Sequence, residues 1–363
     1  MGQRRLVALT ALKLPAVASH HPRRNNKIME FINFDLAELE GYGVRDVQKP
    51  VIVAHGGAGS WSIDDGQAAL EWIKKAVSAG FSIMRSGGSA VDAVVEAVSV
   101  MEDSGVFNAG CGSILNLEGF IEVEASVMDG GSLKAGATAL LRNVQNPVKL
   151  AWVIMNQTDH VMIAGDGAEK LARLLSLERK PQVSEKQLRY YQKLKQALID
   201  GKFELQNLVQ LIRRHPELLI RGTVGAVALD VNGNVAAATS TGGFPLKLPG
   251  RIGDSSIIGC GTYADNKSGA CSVTGLGEIA IRLTLASKVC SYMESGMDAQ
   301  TAVEKAVQIV NERIKEPYRP IGLIALDING GIGAAHNTLG MCWAYLRSGM
   351  KEPVASLKAK MLC

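Results

Sequence analysis

Thr223 stands where a threonine could act as a nucleophile. It follows Gly222 and heads the apolar stretch VGAVALD, directly after a long charged segment. A threonine hydroxyl is a weak nucleophile unless a base lies beside it, and a cut before Thr223 would supply its own α-amino group, whose ordinary pKa is about 7.7–8.0. Glycine tolerates the backbone geometry that attack on its carbonyl requires. The pattern predicts cleavage between Gly222 and Thr223; the alternative is an ordinary β-branched strand residue.

Hydroxyl groups follow at the end of the next apolar stretch. Thr239, Ser240 and Thr241 precede Gly242 and Gly243. Asn-Gly at 232–233 is typical of a hairpin turn, which would bring these hydroxyls back beside Thr223. Such a cluster could orient a threonine nucleophile and handle its proton.

A charged pair and a glycine-rich helix start come next in the chain. Arg251 could bind a carboxylate with both arms of its guanidinium, and Asp254 could pair with an ammonium, so that the two fit the two ends of an amino acid. Thr274 and the backbone amides of VTGLGE (273–278) could stabilise an oxyanion. The alternatives are a surface ion pair and a plain helix N-terminus.

Other classes of function find little support. The six histidines have no metal-ligand spacing, and the six cysteines include no C-x-x-C pair, which favours a reducing, cytoplasmic compartment. The net charge of +4 comes with no sustained basic stripe, so we expect no nucleic-acid partner. No apolar run reaches the roughly 18 residues of a membrane span. The N-terminus only loosely imitates a signal peptide, and a start at Met29 is a rival interpretation.

Hydrophobic residues make up 47% of the 363 residues, enough for a sizeable core. Residues 1–48 have no periodic pattern and are expected to be a disordered extension, and the charged segment 178–222 is expected to be a flexible linker. Asn-Gly at 232–233 and 329–330 predicts two hairpins with two-residue turns. Apolar strands and amphipathic helices together predict sheets covered by helices. Strands are predicted at 50–59, 120–128 and 135–142, and helices at 66–86, 91–101, 146–157, 166–177, 277–295 and 298–315.

Nine segments together resemble the plant-type L-asparaginase/isoaspartyl peptidase family of N-terminal nucleophile hydrolases. Their order and spacing make the resemblance specific over residues 50–343. They are HGGAG (55–59), FNAGCGS (107–113), VMDGGSLKAGA (127–137), NPV (146–148), HVMIAGDGAE (160–169), GTVGAVALD (222–230), ATSTGG (238–243), LPGRIGD (248–254) and TGLGE (274–278).

The resemblance implies an α+β fold, a four-layer αββα sandwich formed by an α subunit (49–222) and a β subunit (223–363) that begins at the threonine. It implies that the enzyme hydrolyses L-asparagine, β-aspartyl (isoaspartyl) dipeptides, or both. The resemblance implies that Thr223 is the nucleophile, that Thr241 tunes it and that Asn108 positions it. It implies an oxyanion hole formed by Thr274 and Gly275. It also implies that Arg251 binds the substrate α-carboxylate, that Asp254 binds its α-ammonium and that Gly277 lines the pocket.

No cofactor is implied apart from a structural sodium ion. The backbone oxygens implied as its ligands are those of Met101, Glu102, Ser104, Phe107, Ala109 and Cys111. The implied partners are the small-molecule substrate, the chain's own cleaved subunit and a second copy, as a dimer of αβ heterodimers.

Three departures from the family pattern stand out: the extension at 1–48, Leu276, and Leu339 where the family commonly has glutamate. The last two could shape the substrate pocket and with it the preference between asparagine and isoaspartyl peptides. Two alternatives remain open at this point. One is a glycosylasparaginase-like enzyme, which would call for an Asp-Thr junction; the other is an uncleaved, non-catalytic relative that binds amino acids.

Overall fold

The computed structural model describes residues 50–200, 222–316 and 319–362. The expected extension at 1–48 lies outside the described residues, as do residues 201–221 of the expected linker. The described part is a mixed α+β structure with two sheets. Its strands are β1 Val51–Gly59, β2 Val123–Asp129, β3 Ala135–Leu141, β4 Met162–Ala164, β5 Val224–Leu229, β6 Val235–Thr241, β7 Thr262–Asp265, β8 Gly269–Gly275, β9 Ile321–Asp327, β10 Ile332–His336, β11 Gly340–Arg347, β12 Val354–Ser356 and β13 Lys360–Met361. Its α-helices are α1 Ile63–Arg85, α2 Ala90–Asp103, α3 Pro147–Gln157, α4 Gly165–Leu174, α5 Glu185–Ile199, α6 Gly277–Leu283, α7 Leu285–Glu294 and α8 Ala299–Arg313.

The first sheet has eight strands in the order β12-β11-β1-β5-β6-β2-β3-β4, and the second has five in the order β13-β10-β9-β8-β7. Neighbouring strands are antiparallel except for the pairs β3–β4 and β10–β13. Every residue of β1, β5 and β6 is buried. This confirms the expectation, drawn from their continuous apolar runs, that both faces of the central strands are covered.

Two apolar clusters account for that burial. Side chains alternate along β1, so that Ile52 and Ala54 join a cluster with α1 and α2, while Val51 and Val53 join a cluster with residues of β8 and β9 in the second sheet. A further cluster packs α7 and α8 against the second sheet. The start of β5, where Thr223 lies, is therefore held between a helix-covered face and the second sheet.

Both Asn-Gly sites form hairpin turns, but not the predicted two-residue turns. Only the glycines, Gly233 and Gly330, have positive φ, at 85° and 80°. The preceding aspartates explain the difference. The Asp230 carboxylate accepts hydrogen bonds from the backbone N–H groups of residues 232 and 234, and Asp327 does the same for residues 329 and 331. These side-chain bonds stabilise longer turns that need one left-handed residue instead of two.

The predicted helix at 277–295 is two helices. Thr284 lies between α6 and α7 with φ 48° and ψ 52°, a left-handed conformation that ends the first helix. The apolar periodicity is continuous across the break because both helices bury their apolar faces against the second sheet. Periodicity alone could not show the break.

The expected linker contains a helix. α5 occupies Glu185–Ile199, and its N-terminus has a complete capping box between Ser184 and Gln187. The charged residues that suggested a linker lie mostly on its exposed face, while Leu194 is buried. The expectation of a flexible linker from 178 is therefore wrong for this part of the segment, because a two-residue buried face suffices to dock a helix that is otherwise polar.

Candidate active site

Thr223 lies immediately before β5, and β6 brings Thr241 beside it. The pairing of Val224 with Ser240 places the two strand ends together, and the Thr223 hydroxyl donates a hydrogen bond to the Thr241 hydroxyl at 3.1 Å. Thr223 is buried, with 7% of its surface exposed. The predicted juxtaposition of these hydroxyls is thus present in the structure.

The other two hydroxyls of the cluster point elsewhere. Ser240 lies on the opposite face of β6 and donates to the buried Glu102 carboxylate at 2.6 Å. Thr239 shares the face of Thr241 but contacts other groups. Its hydroxyl lies 2.8 Å from the hydroxyl of Ser272 in β8 and donates to the carbonyl of Gly261, directly before β7, at 3.0 Å. Alternation along a strand explains the split. Only Thr241 is in hydrogen-bond contact with Thr223.

Asn108 contacts Thr241 and the loop that follows it. Its side-chain amide donates to the Gly243 carbonyl at 2.5 Å, and its backbone carbonyl accepts from Gly242 N at 3.0 Å and from the Thr241 hydroxyl at 3.4 Å. These contacts fix the end of β6. Asn108 therefore contacts Thr241, which in turn contacts Thr223.

The Gly222–Thr223 junction packs against the glycine-rich end of β1. A Cβ atom added to Gly222 would lie 2.4 Å from the Gly57 Cα, and one added to Gly57 would lie 2.3 Å from the Gly222 Cα. A side chain at Gly57 or Gly222 would keep the two backbone segments apart. This close approach explains why glycine stands on the N-terminal side of Thr223.

Arg251, Asp254 and Gly277 meet at a second part of the site. A Cβ on Gly277 would lie 2.8 Å from Arg251 Nη2 and 2.8 Å from Asp254 Oδ1, so that the glycine leaves room between the guanidinium and the carboxylate. The guanidinium lies over the Phe244 ring at 4.7 Å and is held by Glu278, with Nε–Oε1 and Nη2–Oε2 both at 2.9 Å. The alternative of a plain surface ion pair is wrong, since Arg251 and Asp254 are both largely buried.

Acidic groups crowd this second part. Asp254 is buried, and its Oδ2 has no hydrogen-bond partner. Burial, together with repulsion from Glu124, raises the pKa of Asp254 to about 7 in spite of the neighbouring Arg251. A carboxyl group with an unused oxygen beside a fixed guanidinium is suited to take up an ammonium group.

Glu124 connects the two parts. It pairs with Thr241 across β2 and β6, while both its carboxylate oxygens accept from Gly253 N at 2.9 Å. The loop that carries Arg251 and Asp254 is thereby tied to the strand next to the nucleophile.

Thr274 and Gly275 end β8. Thr274 is fully buried, and its hydroxyl has no hydrogen-bond partner. A Cβ on Gly322 would lie 3.2 Å from Thr274 Cγ2 and 2.8 Å from Ala58 Cβ. Since Ala58 N lies 3.0 Å from a Cβ on Gly222, Thr274 is at the same end of the sheets as the junction. An unpaired, buried donor at this place suits an oxyanion.

Comparison with known proteins supplies the identity. The model of the asparaginase family matches residues 48–355. The chain belongs to the asparaginase family. It is 42% identical over 308 residues to the plant-type L-asparaginase of Pyrococcus horikoshii, covering 84% of this chain and 99% of that protein. It is 44% identical over 310 residues to the plant-type L-asparaginase of Thermococcus kodakarensis, with 84% and 99% covered, and 41% identical over 305 residues to the isoaspartyl peptidase/L-asparaginase of Mus musculus, with 84% and 90% covered.

His55, one of the six histidines without metal-ligand spacing, is buried next to the junction in this asparaginase-family chain. Its Nε2 lies 2.8 Å from the Ser272 hydroxyl, so that it joins the two sheets. Burial lowers the pKa of His55 to about 3, and the Thr223 backbone only partly opposes this. The imidazole is neutral at every working pH and serves as a hydrogen-bonding group, not as a base.

Sequence reasoning also missed Glu124, Glu278 and Gln187. A signal existed for the first, because Glu122 and Glu124 alternate within an otherwise apolar strand, which marks buried carboxylates. Glu278 lies within TGLGE but was given no role. Gln187 had only the S-x-x-Q capping pattern, which predicts a helix start and nothing about the site.

The loop expected to bind sodium is curled by two glycines. A Cβ on Gly110 would lie 2.5 Å from the Glu102 carbonyl oxygen, and one on Gly112 would lie 1.9 Å from that of Phe107. The Met101 carbonyl accepts two hydrogen bonds, from the backbone and the hydroxyl of Ser104. The carbonyls of Ala109 and Cys111 accept from Gly112 N and Gln187 Nε2, and each carbonyl oxygen has a second lone pair. Backbone oxygens fit a hard cation. Among the described residues no group of His, Cys, Asp or Glu side chains could hold a metal.

Within the described ranges, none of the helices combines the length and the apolar character needed to cross a bilayer.

Proposed function

We propose that this chain is a self-cleaving amidohydrolase that uses Thr223 as its N-terminal nucleophile. Its substrates are L-asparagine, which yields L-aspartate and ammonia, and β-aspartyl dipeptides. The observation that carries the proposal is the buried Thr223 hydroxyl, 3.1 Å from the Thr241 hydroxyl and directly after Gly222. The names of the relatives, L-asparaginase and isoaspartyl peptidase, support both substrate classes.

Maturation begins with attack of the Thr223 hydroxyl oxygen on the Gly222 carbonyl carbon. The C–N bond of the peptide breaks, the hydroxyl proton passes to the nitrogen, and an ester joins Gly222 to the Thr223 side chain. Water then hydrolyses the ester, which releases the Gly222 carboxylate and restores the hydroxyl. The α-amino group made in this way is the base that turnover needs.

Turnover uses the same oxygen. The α-amino group of Thr223 removes the hydroxyl proton as the oxygen attacks the substrate's side-chain carbonyl, and the proton then passes to the leaving ammonia or amino acid. Water hydrolyses the resulting aspartyl ester. Thr241 orients the nucleophile in both reactions, while Asn108 holds the loop after Thr241.

Substrate recognition belongs to the charged part of the site. Arg251, fixed by Glu278, binds the α-carboxylate, Asp254 binds the α-ammonium, and Gly277 leaves the space between them. Thr274 and the Gly275 backbone amide stabilise the oxyanion. The buried hydroxyl of Thr274 without a partner supports this role, because a preorganised donor costs no reorganisation at the moment of reaction.

The remaining features of the family are extended to this chain on physical grounds. The three apolar clusters support a four-layer αββα arrangement. The curled loop at 101–111 holds a structural sodium ion through its backbone oxygens. Two cleaved chains form a dimer of αβ heterodimers, and the five free cysteines of the described residues suit the cytoplasm.

The deciding experiment is mass spectrometry of the purified, denatured protein, followed by an ammonia-release assay with L-asparagine and a β-aspartyl dipeptide. We expect two fragments, one of them beginning at Thr223, and turnover only after cleavage. A chain that stays intact after days of incubation has no catalytic base and would support the uncleaved, amino-acid-binding alternative. Cleavage without activity on either substrate would overturn the substrate assignment alone.

A further inference from the structure

In the sequence, helix α5 stands between the earlier part of the α subunit and the cleavage site. Its charged segment was expected only to connect the two. It makes specific contacts instead. Lys186 pairs with Asp65 at the start of α1, with Nζ–Oδ1 at 2.5 Å, and the Tyr191 hydroxyl donates to the Leu117 carbonyl at 3.1 Å. The helix is therefore docked on the same body that carries the site.

Gln187 is the most buried polar contact of this helix, with 5% of its surface exposed. Its Oε1 accepts from the backbone N–H and the hydroxyl of Ser184 at 2.7 and 2.6 Å. Its Nε2 donates to the carbonyls of Cys111 and Ser113 at 3.0 and 2.6 Å. One amide thus caps α5 and holds the loop 111–113 at the same time.

That loop borders the nucleophile's support. A Cβ on Gly242 would lie 2.6 Å from Ser113 Cβ and 2.7 Å from Asn108 Oδ1, and Ile114 N donates to Asn108 Oδ1 at 3.0 Å. Displacement of Ser113 would therefore move Asn108 and Gly242, which flank Thr241.

The other end of α5 covers the substrate side. Leu194 is buried with Leu246, and Phe244 packs against the same pair. Phe244 is the ring over which the Arg251 guanidinium lies. A single helix thus supports the loop behind the nucleophile and the loop beneath the carboxylate-binding arginine.

We propose that α5 is a part of the active-site framework and that Gln187 is a positioning residue for Thr241, acting through Ser113 and Asn108. The inference rests on the proposed function, since it concerns the same nucleophile. The contacts of α5 named above are with the loop at 111–113, α1, Leu117, Leu246 and Phe244, not with the Gly222–Thr223 bond.

The test compares Gln187→Glu with Gln192→Glu, the same chemical change at an exposed position of the same helix. The carboxylate at 187 removes two donors and faces two carbonyl oxygens, and such a buried, unpaired group is costly. At pH 8 we expect a loss of about tenfold or more in kcat and in the cleavage rate, with KM within about twofold of the wild type. Gln192→Glu should match the wild type in all three.

Two readouts separate positioning from simple loss of folding. A protonated glutamic acid can donate to the Ser113 carbonyl, so the kcat of Gln187→Glu relative to the wild type should rise as pH falls from 8 to 6. Gln187→Met, which fills the same space without donors, should show the same loss of kcat at every pH. It also stands in for Gln187→Glu if that variant does not fold.

Equal kcat and cleavage rates in Gln187→Met and Gln192→Glu would overturn the inference while leaving the proposed function intact. A wild-type protein that is neither cleaved nor active would overturn the proposed function, and this inference with it.

Discussion

The two parts of the site use different chemistry. Around Thr223 the contacts are neutral: hydroxyl to hydroxyl, amide to carbonyl, and a histidine whose pKa is lowered to about 3 by burial. Around Arg251 the groups are charged, and Glu124, Glu278 and Asp254 surround one guanidinium.

The difference fits the roles proposed for the two parts. A nucleophile that generates its own base needs orientation, which neutral hydrogen bonds supply at little desolvation cost. A zwitterionic substrate needs opposite charges at a fixed separation, which only a held arginine and a nearby carboxylate provide. Changes in the neutral part should therefore affect cleavage and kcat, while changes in the charged part should affect substrate affinity.

The largest effect is expected from Thr223→Ala. Removal of the hydroxyl removes the attacking atom of both reactions, so neither fragment should appear and kcat should fall by about 10⁴-fold or more. Thr223→Ser, which keeps the oxygen, is the control and should still cleave. Mass spectrometry and ammonia release give the two readouts. If the alanine variant also yields a fragment that begins at position 223, an outside protease cuts the chain.

Arg251→Lys should affect only the charged part. Lysine keeps the charge but loses the planar fork that holds Glu278 and the substrate carboxylate. We therefore expect KM for asparagine to rise about 100-fold, which corresponds to the free energy of one hydrogen bond to a charged group. Cleavage should proceed at the wild-type rate, because the Gly222 carbonyl is not recognised through this residue.

Arg282→Lys is the matched control, since that arginine is half exposed and pairs with Glu316. A cleavage defect in Arg251→Lys, but not in Arg282→Lys, would contradict the separation of the two parts and would point to Glu124 as the route between them.

Thr241→Val should affect only the neutral part. Valine has the same shape but no hydroxyl, which leaves the Thr223 hydroxyl and Gly243 N without their partner. A net loss of about 1.4–2.7 kcal/mol, within the usual cost of an unsatisfied buried donor, corresponds to about a ten- to hundredfold loss in kcat. KM should change less than about threefold, and Thr241→Ser should restore most of the rate. A rise in KM with unchanged kcat would place Thr241 in substrate binding instead.

Much of the site could be predicted from sequence because its residues lie at strand ends and tight turns. The hairpin at 230–234 returns Thr241 to Thr223, and Asp254 follows Arg251 by three positions in a loop. Short-range chain geometry determines both juxtapositions. The strands were predictable for a similar reason, since fully buried strands are continuous apolar runs.

The parts that could not be predicted depend on contacts distant in sequence. Gln187 meets the loop at 111–113 from more than seventy positions away, and Glu124 reaches Gly253 across 129 positions. Local composition made 178–222 polar enough to predict a linker, and nothing local shows that the burial of Gln187 and Leu194 docks α5. The break at Thr284 is the converse case, where continuous periodicity hides a left-handed residue.

The smallest effect, and the one that tests the charged part most directly, is the pH dependence that Asp254 gives to binding of L-aspartate, the product. Since its pKa is raised to about 7, Asp254 is mostly protonated at pH 6 and ionised at pH 8. An ammonium group needs the ionised form, so the dissociation constant of aspartate should fall about tenfold from pH 6 to 8 and level off above. Calorimetry with the cleaved enzyme measures this directly.

Asp254→Asn provides the control and shows a second consequence of the same shift. The variant should bind aspartate more weakly and without that pH dependence.

The second consequence concerns folding stability. Between pH 3.8 and about 7 the folded state keeps a proton on Asp254 that the unfolded chain releases. The contribution of Asp254 to stability is therefore present below that window and is lost as pH rises through it. Without ligand, the variant should therefore gain stability over the wild type as pH rises to 7, whereas bound aspartate should reduce this gain by stabilising the ionised carboxylate. If the wild type and Asp254→Asn instead share one pH profile for aspartate binding, the titrating group lies with the Thr223 amine, and the neutral part would be setting affinity as well as rate.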